Sequence, residues 1–210
     1  AWGDVFVRDE FMGENRRRLM QIRARRDTLY QDLFGGLDEA YQRSGLAQLI
    51  RQYKPDVIVD CINTATAISY QDIESLSKQT HDLLDQLNQI VDHQDLGALA
   101  ALGRDLEQNV SSLLISQSLP QLIRHVQIIH RAMSESGTRL YLKVGTTGTG
   151  GMGLNIPYTH SEDRPSFKLM SKSAVAFAQT GLMFLMARTP TGPLVKELKP
   201  GAMIGYRKVA

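Results

Sequence analysis

Two short apolar runs set far apart constrain this chain more than anything else in it. Residues 57–62 read Val-Ile-Val-Asp-Cys-Ile, bounded by Lys54-Pro55 and by Asn63, and residues 138–144 read Thr-Arg-Leu-Tyr-Leu-Lys-Val. Both are rich in β-branched or large apolar side chains and too short for typical helices, so both are predicted strands. Between them, residues 70–136 are helical in period throughout. Strands joined by a long helical connection pair in parallel, because the chain must return to the same end of the sheet before the second strand begins. Parallel strands are ordinarily covered on both faces, which predicts that both runs are buried. The class is α/β.

The helical stretch carries three apolar stripes. One runs through Ile73, Leu76, Leu83, Leu87 and Ile90, and a second through Leu96, Leu99, Leu102, Leu106, Val110 and Leu113. The third, Leu122, Ile123, Val126 and Ile129, follows Pro120, which suits a first helical turn. A crossover requires only about 10–12 residues, so much of region 71–136 is surplus and reads as an inserted helical hairpin. Gly137 is its stop signal.

Elsewhere, residues 1–13 read as a short alternating stretch around Val5-Phe6-Val7. Residues 14–34 read as one helix, stopped by Gly35-Gly36. A second helix starts with Asp38 as N-cap and ends at Lys54-Pro55. Residues 167–188 are almost wholly apolar or small, a helix predicted to be buried on more than one side. After a turn at 189–193, residues 201–206 read as a third strand.

Composition narrows the function classes. At 42% hydrophobic and 22% charged over 210 residues, the chain is ordinarily globular, which excludes disorder, collagen and a small disulfide scaffold. A net charge of +2 is too small to predict a nucleic-acid or anionic-membrane partner. The single Cys61 excludes an intrachain disulfide and a cysteine-rich zinc site, and fits a cytoplasmic setting. With no uncharged apolar run of about 18 residues, no span is predicted. The chain opens at Ala1 without a signal-peptide pattern and reads as a processed or partial product.

Ligands of open parallel sheets bind beyond the carboxyl ends of the strands. Both such ends here consist of small polar residues: Asn63-Thr64-Ala65-Thr66-Ala67 after the first run, and residues 145–153, with five glycines in nine, after the second. Glycines let backbone N–H groups approach a ligand closely, although glycine-rich turns often do no more than turn. No lysine follows in the manner of a phosphate-gripping loop, and no helix follows as a dinucleotide fingerprint needs.

Lys54-Pro55-Asp56-Val57-Ile58-Val59-Asp60-Cys61-Ile62-Asn63-Thr64-Ala65 resembles the fourth strand of the extended short-chain dehydrogenases, the NAD-dependent epimerase/dehydratase family. Val144-Gly145-Thr146-Thr147, Pro157, Glu162, Pro165-Ser166 and Ser171-Lys172 resemble the same family's fifth strand and active-site segment. The resemblance covers about residues 45–190. It implies a Rossmann-like parallel sheet with flanking helices, forming a single, incomplete domain over 1–210. It also implies NAD or NADP as cofactor, and hydride transfer on a nucleotide sugar or a small carbonyl or alcohol. On the same basis Lys172 holds the nicotinamide ribose, Thr146 or Thr147 orients the substrate oxygen, and Asn63, Thr64 and Ala65 line the cofactor side. The family's tyrosine, four residues before Lys172, is replaced by Lys168, and Tyr158 in the preceding loop is the remaining candidate acid. The family's glycine-rich first loop is absent. These departures keep open a second reading, a catalytically degenerate relative serving as a binding or assembly module.

The other polar clusters read as structural. His125 and His130 are five apart and share no helix face as a metal pair would, so no metal site is predicted. Glu162-Asp163 beside Arg164 reads as a solvated or paired cluster. Arg16, Arg17, Arg18, Arg23, Arg25 and Arg26 read as a solvated helix face rather than a nucleic-acid site. Met170, Phe177, Met183, Phe184 and Met186 are spaced for core or a helix interface. Ala174, Ala178 and Gly181 would admit a close partner helix, which predicts a homodimer.

Overall fold

The computed structural model describes residues 3–64, 73–93, 96–144 and 167–198. They form a mostly helical chain with one small parallel sheet. The chain divides into two compact units, Ala1–Leu46 with Gln71–Gln121, and Ala47–Tyr70 with Leu122–Ala210.

In the first unit, a 3-10 turn (Asp9–Phe11) precedes α1 (Arg16–Gln21), α2 (Arg23–Phe34) and α3 (Leu37–Arg43). The two long helices α5 (Ile73–His93) and α6 (Leu96–Ile115) pack against each other, and α6 also packs against α2. Val7, Phe11, Leu19, Leu29 and Ile115 form the core. The single helix expected over 14–34 is two, broken at Ile22, whose backbone is extended at φ −98° and ψ 116°. Asn15 caps the start of α1 by accepting from the Arg17 N–H at 2.8 Å, and at the break the Arg26 guanidinium donates to the exposed end of α1 at the Met20 carbonyl, 3.0 Å away.

Nor are the arginines a uniformly solvated face. Arg26 is 2% exposed and forks onto both oxygens of Glu107 in α6. Arg25 pairs with Glu14 and Arg16 with Asp4, while Arg8 grips both oxygens of Asp32. The N-cap of α3 is Gly36 rather than Asp38, which lies in the first turn, where its charge suits the helix dipole.

The second unit contains most of α4 (Gly45–Tyr53), then β1 (Val57–Asp60), most of α7 (Ser118–Ser136), β2 (Leu140–Val144), α8 (Phe167–Ala187) and β3 (Leu194–Leu198). The stop after α4 is Lys54, left-handed at φ 41°, directly before Pro55. Gly137 ends α7 at φ 75°, and the Thr138 N–H reaches back to the Met133 carbonyl at 3.0 Å, the Schellman arrangement that glycine permits.

The sheet order is β1-β2-β3 and every pairing is parallel, from Val57↔Leu140 to Asp60↔Lys143 and from Leu140↔Leu194 to Val144↔Leu198. The parallel pairing of the two sequence runs is therefore present. β3 was not predicted, and the strand expected at 201–206 lies outside the described residues.

Side chains alternate across a sheet, so register partners share a face. One face carries Ile58, Asp60, Tyr141, Lys143, Val195 and Glu197, and α8 packs against β3 there, with Thr180 Oγ1 3.3 Å from Glu197. The other face is apolar except for Lys196, and open: Val57 is 49% exposed, Val59 56%, Leu194 60% and Leu198 55%. The expected burial of residues 57–62 on both faces does not hold, because β1 is a strand at the sheet's end whose outer face has no covering layer among the described residues. The expected burial of α8 on more than one side fails too. Val175, Gln179, Met183 and Met186 are buried, whereas Phe167, Met170, Phe177 and Phe184 are 58–67% exposed.

Candidate functional site

Register brings Asp60 and Lys143 side by side at the carboxyl ends of β1 and β2. Both face the side on which α8 lies, and both are nearly sealed from water, at 6% and 1% exposure. A charge so placed is costly unless paired and hydrogen-bonded, and here every donor of the ammonium is used. Lys143 Nζ donates to Asp60 Oδ1 at 3.0 Å, to the Ile62 carbonyl at 2.6 Å and to Thr64 Oγ1 at 3.1 Å.

The carboxylate is equally occupied. Asp60 Oδ2 accepts from the Tyr141 hydroxyl at 2.6 Å, and Oδ1 also accepts from the Ile62 N–H at 2.9 Å. Gln179, from α8, closes the group by donating from Nε2 to Thr64 Oγ1 at 3.2 Å.

The electrostatics follow from this wiring. Burial is the largest single influence on Asp60 and acts to raise its pKa. The Lys143 charge and the hydrogen bonds from Tyr141, Ile62 and Lys143 together outweigh it, so the carboxyl sits below the usual aspartate range. Burial raises the Tyr141 phenol, and the neighbouring Asp60 charge and the hydrogen bond to it raise it further. A phenol held so firmly protonated, already donating to a carboxylate, is no proton donor for a substrate. The network's work is to fix the tips of β1 and β2 and the first turn after β1 against α8.

The structure places the predicted residues unevenly. Asn63 is exposed, just past β1, and Thr64 is 1% exposed with its hydroxyl inside the network. Lys172 is half-buried on α8, two turns before Gln179 on the same helix face. α8 runs back toward the start of β3, since only six residues separate Ala187 from Leu194. Its N-terminal half therefore extends past the carboxyl ends of the strands, where Lys172 stands roughly 10 Å along the axis from Gln179. Ala65, Thr146, Thr147 and Tyr158 lie outside the described residues, as do Glu162 and Asp163.

Sequence reasoning missed Asp60, Tyr141, Lys143 and Gln179. Two of them carried a usable signal: opposite charges near the ends of two runs otherwise fit for burial must meet each other or disrupt the sheet. Among the described residues no group of three His, Cys, Asp or Glu side chains is placed to hold a metal, and no helix is long and apolar enough to cross a membrane. Comparison of the chain with protein-family models, with curated proteins and with solved structures gives no match in any of the three.

Proposed function

We propose that the chain belongs to a dinucleotide-binding protein of the extended short-chain dehydrogenase kind. It would use NAD or NADP for hydride transfer on a nucleotide sugar or a small carbonyl or alcohol. The observation that carries this reading is the parallel, in-register pairing of β1 with β2, which sends the segments starting at Asn63 and Gly145 out of the same end of the sheet. The position of Lys172 beyond those tips adds to it.

The donor set fits a ribose and amide ligand in part. Asn63 offers an exposed amide and Lys172 an ammonium, and both residue types hydrogen-bond hydroxyl groups well. Thr64 does not fit, because its hydroxyl already accepts from Lys143 and Gln179. In this reading Lys172 binds the ribose, Asn63 borders the cofactor and Thr146 or Thr147 holds the substrate oxygen. The cofactor supplies the hydride chemistry.

A second reading, a non-catalytic binding or assembly module, is favoured by Lys168 at the tyrosine position and by the internal use of Thr64. Titration with NADH and NADPH, followed by nicotinamide fluorescence, separates the two. Saturable binding with substrate turnover supports the enzyme, and Lys172→Ala then weakens binding about tenfold or more, the loss of one charged hydrogen bond. Binding without turnover supports the module. Absence of binding by either nucleotide removes the dinucleotide reading.

A further inference from the structure

The outward face of α8 is a seam without a partner among the described residues. Phe167, Met170, Ala174, Phe177, Gly181 and Phe184 are all exposed and recur at alternating spacings of three and four. That is the period of a coiled-coil seam rather than of a helix resting on a globular core. The opposite face of the same helix, through Val175, Gln179, Met183 and Met186, is the one buried within its own unit. Among the described residues this second apolar stripe, roughly 26 Å along the axis, is left uncovered, and an exposed apolar patch of that size marks an interaction surface.

We propose that this stripe is the two-fold interface between two copies of the chain, with the α8 helices antiparallel. Side-chain size decides the occupant and its direction. Turning the stripe end for end about its midpoint sets Ala174 against Phe177 of the second copy, Met170 against Gly181, and Phe167 against Phe184. Two of the three layers then match a large side chain with a small one, and each layer is repeated by symmetry, as an isologous contact requires. A parallel pair would instead stack Phe177 on Phe177 and leave Ala174 facing Ala174 and Gly181 facing Gly181, alternating crowding with voids.

Charge does not oppose the contact, because Lys172 lies on the helix face that carries Gln179, away from the stripe. The area is also sufficient. The exposed parts of Phe167, Met170, Phe177, Phe184 and Leu185 amount to roughly 500–600 Å² per copy, or about 1,000–1,200 Å² in the pair, at the lower limit for a specific interface.

The seam is independent of the dinucleotide reading, and its test needs no ligand. Light scattering on the 210-residue chain at micromolar concentration should give a dimer. Phe177→Glu should give a monomer with unchanged far-ultraviolet circular dichroism, since the side chain is 67% exposed. Ala174→Phe alone should weaken dimerisation about 30-fold or more, by crowding a central layer. The exchange A174F/F177A should bring affinity back to within about threefold of the original, because each layer again pairs large with small. A monomeric wild-type chain, a dimer indifferent to both single substitutions, or a double variant as weak as Ala174→Phe would each overturn the proposal.

Discussion

Lys143 sits in a strand at 1% exposure with three acceptors around its ammonium, and Asp60 opposite it is the one that matches its charge. Removing the lysine alone strands a carboxylate out of water. Lys143→Met is therefore expected to destabilise the chain by about 3–5 kcal/mol in urea unfolding, while D60N/K143M recovers most of that loss because no buried charge remains. The sign with pH follows from the lowered Asp60 value. The folded state binds its proton less readily than the unfolded chain does, so the pair's contribution is fully present above about pH 4 and is lost as pH falls through the folded value. Urea midpoints measured from pH 6 down to pH 3 should accordingly fall less steeply for Asp60→Asn than for the wild-type chain, and equal slopes would contradict the assignment. Arg26 shows the same logic with a partly wet partner. Glu107 remains 30% exposed and can be resolvated, so the loss of Arg26 should be felt mainly in the Met20 carbonyl it satisfies and the α1–α2 break it braces.

At the scale of elements, the best-defined boundary is the end of α7. Gly137 at φ 75° has nothing within 4 Å of where a Cβ would stand, so Gly137→Ala meets no neighbour and tests the backbone alone. It should cost about 1 kcal/mol, read as a shift in the urea midpoint without a change in slope. This boundary was legible in the sequence because glycine, proline and capping residues act locally. Pro55, Pro120 and Gly137 each fall where their chemistry put them, and β1, β2 and the α5–α6 pair followed from periodicity. What was not legible depended on distant partners. The split at Ile22 has a guanidinium from the next helix filling the gap, which spacing along one helix cannot show. β3, Leu194-Val-Lys-Glu-Leu, has no β-branched run to announce it and exists because β2 offers it a ladder. The sequence leaves the α8 stripe as core or a helix interface, since an apolar helix carries no label for which of its faces meets its own sheet. At the strand tips, Asp60 and Lys143 were visible as anomalies in apolar runs, but Gln179, 115 residues from Thr64, was not.

Among the described residues the sheet has one covered face. Strand order β1-β2-β3 means that both crossovers step in the same direction, and right-handed connections that step the same way lie on the same side. The helices entering β2 and β3 therefore cannot cover both faces, and Val57, Val59, Val144, Leu194 and Leu198 are left 38–60% exposed on the other. A doubly covered parallel sheet would require a further layer there. The 210-residue chain as it stands should consequently bind an apolar dye such as anilinonaphthalene sulfonate in its folded state, at protein concentrations below those that fold it into larger assemblies. Val59→Lys places a charge on that face, in the edge strand β1, at a residue 56% exposed. It should lower the dye fluorescence while moving the unfolding free energy by no more than about 0.5 kcal/mol, the range of ordinary surface substitutions. Dye fluorescence unchanged by Val59→Lys, with a loss of stability of about 2 kcal/mol or more, would mean that the face is covered in solution. In that case the second layer is already supplied and the sheet is two-sided after all. Phe177→Glu on α8 provides the internal comparison: it removes an apolar side chain of similar exposure from a different surface, so a dye signal sensitive to Val59→Lys and not to Phe177→Glu locates the binding on the sheet.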